Sequence, residues 1–429
     1  MWAGGAHPTS FRPAVRAPRL QLTAPPVSAP SSRIVENQAQ IYLRILGSLR
    51  PHWRADRALP LRIQKLLAGG RGFGARDRRL YRELVYTTLR HLPWIERWLD
   101  LDPARAVKIA AWLAAPTRDT AAFRAGLCAD WPAGGSLAEQ AAFLGEEPAA
   151  VLPAWFRTHC PELFEKPEWE AQVARAPLWL RLQTDAPENV FQEFAALGWS
   201  WTPSGVLPEA IRLGEADVTK TEAYRAGLVE VQDLGSQLVL AAAGVEAGGR
   251  WLDACAGAGG KTLQLGRLVG PDGQVDAHDP RPAALAELKL RAQRAHLVNI
   301  AIVSHPAAET YDHVLVDAPC SGSGTWRRTP HLKWSTQPTD ITNFATRQLN
   351  ILRHHARSVR PGGRLVYATC SLSQMENEGT AAHFLDAEPG FAAEPLRRRY
   401  GFPGLGPTLT ILPSRHDTDG FFVAAFRRV

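Results

Sequence analysis

Two hydrophobic periods divide the chain. From about Arg33 to Leu163 apolar residues recur at helical spacing, whereas from about Gly235 onward short β-rich runs alternate with helical stretches. The clearest helical segment is Asp77 to Leu99, where Leu80, Leu84, Thr88, Leu92 and Ile95 form one stripe and Arg78, Arg79, Arg82, Arg90 and Arg97 populate other faces. Asp77 is its expected N-cap, and Pro93 is expected to kink or end it near His91. Residues 168–230 read as a small α/β segment. Strands are expected at Leu178–Thr184, in VLPEAIRL and in AGLVEVQD, with a helix at Pro187–Leu197. Beyond a helix ending at Ala243, the runs RWLDA, GQVDAHD, IAIVS, HVLVDAP and RLVYATC alternate with helices, the signature of a doubly wound, mostly parallel α/β sheet. Residues 1–32 show no hydrophobic period, no acidic residue and no apolar signal core, and read as a flexible tail. The expected organisation is therefore a tail (1–32), a helical domain (33–165), a small α/β segment (168–230) and an α/β domain (231–429).

Composition narrows the class. The longest apolar run, Leu238 to Val245, falls far short of the roughly 18 residues a membrane span needs. Five scattered cysteines with no CxxC pair argue against a disulfide scaffold or a zinc ribbon, and imply a reducing, cytoplasmic setting with no metal. The net charge of +7 is unevenly placed: residues 1–130 hold 21 Lys/Arg against 9 Asp/Glu, a balance of +12. That asymmetry suits a module that meets a polyanion. Its focus is the glycine- and arginine-rich loop Gly69–Arg79 and the helix after it, with Arg76, Arg78, Arg79 and Arg82 as candidate RNA contacts. A solvated helix face is the plainer reading of the same residues. Trp53, Trp94, Trp98 and Trp112 read as core rather than base-stacking platforms.

In WLDACAGAGGKT (Trp251–Thr262) a hydrophobic strand ends in an acid and runs into a glycine-rich turn and a helix start. Gly257, Gly259 and Gly260 allow a tight turn and close approach of a ligand to the backbone. The GxGG spacing departs from the GxGxxG of dinucleotide sites. Asp279, at the end of the next strand, is placed to bind a ribose diol. A strand-end carboxylate with a short loop suits the zwitterionic aminoacyl end of S-adenosylmethionine, the expected cofactor; a structural glycine turn is the competing reading.

Two further strands each run straight into a cysteine: HVLVDAPCSGSG, with Cys320, and RLVYATCSLSQMENE, with Cys370. If the strands are neighbours, their backbones lie ~4.8 Å apart and both thiols meet at the carboxyl rim that carries the glycine loop. Buried cysteines are usually inert, but two at equivalent strand ends point to chemistry. Carbon 5 of cytosine is a weak nucleophile. A thiolate adding at carbon 6 makes it an enamine that attacks a methyl donor, after which a base removes the carbon 5 proton and the thiolate leaves. Asp317, three residues before Cys320, is placed to stabilise the adduct at the ring nitrogen. A helix N-terminus after Cys370 is expected to favour its thiolate. Local chemistry leaves open which cysteine attacks.

At these residues the chain resembles the RsmB/NOP/Sun family of RNA (cytosine-5)-methyltransferases. The likeness runs through the glycine loop, DAPCSGSGTWRRTPHLKW (Asp317–Trp334), PGGRLVYATCS (Pro361–Ser371), DGFFVAAF (Asp419–Phe426) and VQDLGSQ (Val231–Gln237). FGARDRRLYRELVYTTLR resembles the NusB-like RNA-binding domain of bacterial members. The resemblance implies a Rossmann-like class I methyltransferase domain preceded by an all-α NusB-like domain and a small α/β linker. It implies Cys370 as nucleophile, Cys320 as the residue assisting release, and a cofactor site lined by Cys255, Ala256, Gly257, Ala258, Gly259, Gly260, Lys261, Asp279 and Asp317. Two departures stand out: Ala258 replaces the usual loop proline, and the third strand runs into IVSHPAAE, with Ser304 and His305 where an acid normally holds the adenine side. Small-subunit ribosomal RNA is the expected substrate, with no obligate protein partner. Transfer RNA, an adenine methyltransferase and a non-catalytic RNA-binding assembly factor are the alternatives.

Overall fold

The computed structural model describes residues 32–429 apart from 71, 215 and 405. The tail expected over 1–32 lies outside the described residues but for Ser32, as does Arg71 of the glycine- and arginine-rich loop. Residues 32–173, as described, form helices and loops, beginning with Ser32–Leu49, Leu59–Gly69 and Ala75–Arg90. The stripe Leu80, Leu84, Thr88, Leu92 and Ile95 is buried. The helix differs from expectation at both ends. It starts at Ala75 because Gly74, in extended conformation, ends the loop; Asp77 is the third helical residue and caps from there, accepting the Gly74 N–H at 3.3 Å. It stops at Arg90, and Pro93 opens a separate short turn, Leu92–Ile95, where its missing N–H costs no helical hydrogen bond. Trp53, Trp94 and Trp112 are core, and Trp98 is half-buried.

A four-stranded antiparallel sheet follows, formed by β1 (Leu178–Leu182), β2 (Trp201–Pro203), β3 (Ala210–Leu213) and β4 (Val229–Val231) in the order β2-β3-β1-β4. Helix Glu188–Ala196 packs Val190 and Phe194 against it. Strand β2 has no clear sequence signal, being a three-residue edge strand that ends in proline.

The larger sheet comprises β5 (Arg250–Asp253), β6 (Gln274–Ala277), β7 (Ile300–Ile302), β8 (Tyr311–Asp317), β9 (Val359–Thr369), β10 (Phe391–Ala393), β11 (Thr408–Ile411) and β12 (Phe421–Arg428). The order is β10-β12-β9-β8-β5-β6-β7, with β11 also on β12. Strands β5 to β9 are parallel, and β10 to β12 pair antiparallel. The continuous apolar runs have a simple cause. Trp251, Leu315, Val366 and Ala368 face one core while Leu252, Val314, Val316, Leu365 and Tyr367 face another, so both faces are covered. This is the expected doubly wound, Rossmann-like sheet, and it collects Asp253, Asp279, Asp317, Cys320 and Cys370 at one rim.

The helical region is not merely tethered to this sheet. Trp326, Trp334, Ile341 and Leu372, all from the segments after the cysteine strands, belong to the same buried cluster as the helices. Lys333 is wholly buried and donates to the carbonyls of Arg90 and Val151, each at 3.0 Å, while Trp334 donates to that of Leu89 at 2.6 Å. The PHLKW stretch is thus a structural joint.

Candidate active site

The glycine loop is built for close approach. Gly259 has φ +91°, and a Cβ there would stand 2.7 Å from Leu263 and 2.8 Å from Leu288, so no other residue fits without displacement. Helix Gly260–Val269 then begins, presenting its N-terminal turn to a cavity of about 690 Å³. The cavity is lined by Asp253 to Ala258, Gly260, Lys261, Asp279 and Asp317, so the structure gathers most of the expected cofactor residues around one space. Ala258 leaves the loop intact, and its carbonyl accepts from Arg291 at 2.7 Å.

Asp253 is buried, accepting from Thr262 at 2.7 Å; burial, reinforced by the charge of Asp317, pushes its pKa up to about 7. Asp279 is less free than a bare ribose ligand. Its carboxylate accepts from the Gly257 N–H at 2.9 Å and from Arg281 through the backbone N–H, Nε and Nη2 at 2.8 to 2.9 Å. Burial works against its ionisation, but these bonds win and hold its pKa below the usual carboxylate value. Cys255 lies at the loop with its thiol pushed up by burial, and so is inert.

Strands β8 and β9 are parallel neighbours, with Asp317 in register with Ala368. Cys320 and Cys370 leave them side by side, their Sγ atoms 3.2 Å apart. The hydrogen bond with Cys370, together with burial, raises the pKa of Cys320 well above that of a free thiol. Gly324, just beyond, packs backbone to backbone on Gly420, where a Cβ would stand 2.1 Å from the carbonyl oxygen. Its N–H donates to the Cys370 carbonyl at 2.9 Å, which ties the two cysteine loops together. Asp317 accepts from Lys261 at 2.9 Å, so the lysine expected only at the cofactor reaches the cysteine side as well. The expected helix N-terminus behind Cys370 is absent: Ser371, Leu372 and Ser373 are irregular, held by side-chain bonds, and helical turns begin only at Met375.

Sequence reasoning missed several residues here. Glu376 is fully buried and accepts from the Ser321 N–H at 2.9 Å, from the hydroxyls of Ser321 and Ser371, and from Gln348 at 2.9 Å. It therefore joins the residues that immediately follow both cysteines. His159, from the helical region, bonds the Ser373 hydroxyl at 3.1 Å and accepts the Gln374 N–H at 2.9 Å through its carbonyl. His278, Pro280, Arg281, Arg347, Ile351 and His355 also line the cavity. Ser304 and His305 do not; both are exposed. Among the candidate RNA contacts Arg76, Arg78, Arg79 and Arg82 are exposed, and Arg79 is paired with Asp119 at 2.6 Å. The glycine- and arginine-rich loop is shorter than expected, because Ala75–Arg79 is already helical. No helix among the described residues is long and apolar enough to cross a membrane.

With this geometry in view, comparison with known proteins is informative. The family described as "16S rRNA methyltransferase RsmB/F" matches residues 239–427. A probable ribosomal RNA small subunit methyltransferase B from Synechocystis sp. is 33% identical, the match covering 66% of this chain and 68% of the relative. The ribosomal RNA small subunit methyltransferase B of Vibrio cholerae is 32% identical over 64% of this chain and 65% of its own. The chain thus spans about two thirds of the length of these relatives. A solved methyltransferase homolog from Pyrococcus horikoshii superposes with a TM-score of 0.55 at 25% identity, covering 69% of this chain and all of its own.

Proposed function

The chain belongs to the RsmB/F family of S-adenosylmethionine-dependent RNA methyltransferases, and from that premise we propose that it methylates carbon 5 of one cytosine in small-subunit ribosomal RNA. The observation that carries this reading is the pair of thiols 3.2 Å apart at the ends of β8 and β9, beside the cofactor cavity. S-adenosylmethionine supplies the electrophilic methyl group. The glycine loop, with Asp253, takes its aminoacyl end, and Asp279 takes the ribose hydroxyls by exchanging its bonds from Arg281. In our reading Cys370 attacks carbon 6, Asp317, held by Lys261, steadies the ring at nitrogen 3, and Cys320 takes the carbon 5 proton before the thiolate leaves. Cys320 must first give its own proton to solvent; its raised pKa then makes the thiolate a strong base for the carbon 5 proton. A ribosomal substrate places the enzyme in the cytoplasm, acting on RNA without an obligate protein partner.

Bisulfite sequencing of small-subunit RNA incubated with the protein and S-adenosylmethionine is expected to reveal one newly protected cytosine, absent with the Cys370→Ala variant. Protection of transfer RNA alone would move the substrate; protection of neither RNA defeats the reading.

The 33–165 helical domain, NusB-like in our reading, supplies RNA affinity rather than chemistry. Phosphate contacts set affinity and its salt dependence without selecting a base. With Arg79 engaged by Asp119, the effective contacts are Arg76, Arg78 and Arg82. Their joint replacement by Gln is expected to flatten the slope of log affinity against log salt by ~0.7–0.9 for each phosphate no longer neutralised, with cofactor binding unchanged. An unaltered slope across several salt concentrations removes this face from the interface.

A further inference from the structure

The third strand raises a question that the cavity answers. An acid is expected after β7 to hold the adenine side of the cofactor, and Ser304 and His305 stand there instead, exposed and outside the cavity. The helix Pro338–Ala356 contributes three residues at successive i, i+4 positions, Arg347, Ile351 and His355, along the cavity wall. His355 is 5% exposed; its Nδ1 is closed off with no hydrogen-bond partner among the described residues, which leaves Nε2 as the ring nitrogen that can meet a ligand. A lone pair on Nε2 can be met only by a donor that enters the cavity. Its ring lies 5.7 Å from that of His278, which directly precedes Asp279. His278 Nδ1 donates to the Val303 carbonyl at 3.1 Å, because a carbonyl only accepts; in the neutral ring Nε2 is then an acceptor. With the ribose at Asp279, the base falls among these neighbours, where Pro280 and Ile351 offer apolar surface to its faces.

Resting on the cofactor assignment above, we infer that His355, with His278 beside it, reads the amino edge of the cofactor's adenine in place of the third-strand carboxylate. The ring accepts an N–H of the exocyclic amino group through a lone pair that a protonated imidazole lacks. Burial, with His354 and His278 close by, pushes its pKa down to about 4, so the accepting form prevails at neutral pH. A neutral ring is a milder acceptor than a carboxylate, but it avoids burying a second charge near Asp253 and Asp279.

Calorimetry on the full chain tests this with two ligands, S-adenosylhomocysteine and its analogue carrying unsubstituted purine in place of adenine. The native protein is expected to prefer the adenine ligand by about tenfold, the value of one hydrogen bond of ~1.4 kcal/mol. His355→Leu should bring both ligands within about twofold of each other, near the affinity of the purine analogue, while His355→Gln, which keeps an acceptor, should restore part of the preference. Equal binding of the two ligands by the native chain overturns the inference, as does a tenfold preference surviving in His355→Leu. Failure of the native chain to bind S-adenosylhomocysteine at all overturns the cofactor assignment as well.

Discussion

Cys370→Ala is expected to abolish methylation and to leave no covalent protein–RNA species, whereas Cys320→Ala should accumulate one. The expectation follows from geometry and proton placement. Both sulfurs stand at one rim, 3.2 Å apart, so only one can occupy the attack position over carbon 6. Removing the attacking thiol removes the enamine, and with it any nucleophilic carbon 5. Removing the other thiol leaves attack and methyl transfer intact but deprives the adduct of the base that strips the carbon 5 proton. Loss of one general acid–base group slows turnover by about 10²–10⁴-fold, long enough for the methylated adduct to survive denaturing electrophoresis. The double variant should trap nothing, because trapping depends on the first thiol. If Cys370→Ala traps RNA and Cys320→Ala does not, the roles are exchanged. If neither traps and both keep turning over, the covalent mechanism is wrong for this protein.

What the sequence revealed and what it hid follow one physical rule. Asp253, Asp279, Asp317, Cys320 and Cys370 are legible because each ends a strand of period-free apolar residues, and a parallel sheet delivers all such ends to one edge. The adjacency of β8 and β9 converts two separate motifs into one site. Residues that reach the site from helices carry no comparable mark. His355 sits in Pro338–Ala356, where helical spacing identifies a buried face but not whether it faces core or cavity. The strand-end rule also points to Ser304 and His305, but β7 is an edge strand, and the residues after it are exposed. The helix expected behind Cys370 is absent for a related reason. A polar run compatible with a helix is equally compatible with a loop once Ser371 meets Ser321 and Ser323 across the cysteine loops and Ser373 meets His159 of the helical region. The shift of the cap at Asp77 has the same local origin, since an acid at the cap or at the third helical position serves the same orphan donors.

Glu376→Ala is expected to cost both stability and activity, and Glu376→Gln chiefly activity. The glutamate is fully buried and accepts bonds from Ser321, Ser371 and Gln348. Alanine would strand the Ser321 N–H, at about 1–3 kcal/mol for a buried donor left unpaired, while the Gln348 amide keeps its bond to the Pro319 carbonyl at 3.1 Å. The hydroxyls have alternatives, since Ser371 Oγ lies 3.0 Å from Ser323 Oγ and 3.2 Å from Ser321 Oγ. A loss of ~1–3 kcal/mol in unfolding free energy is therefore expected, visible as a lower denaturation midpoint at unchanged slope. Both N–H donors use Oε2 and both hydroxyls use Oε1. Glutamine therefore keeps the shape with its amide nitrogen toward the hydroxyls of Ser321 and Ser371, which then lose their acceptor and must turn to accept from it. That re-aiming of the two hydroxyls should shift Ser321 relative to Ser371, and with them the separation of the two thiols. Because a misplacement near 1 Å can cost ~10²-fold in rate, Glu376→Gln should lower kcat by one to two orders of magnitude. Cofactor affinity should stay within about twofold, since none of the bonds to Glu376 comes from a residue that lines the cavity. This division separates a residue that sets the spacing of the cysteines from one that merely supports the fold. Equal losses of stability and activity in both variants, or a Gln variant with native kcat, would show that the carboxylate does no more than fill the core.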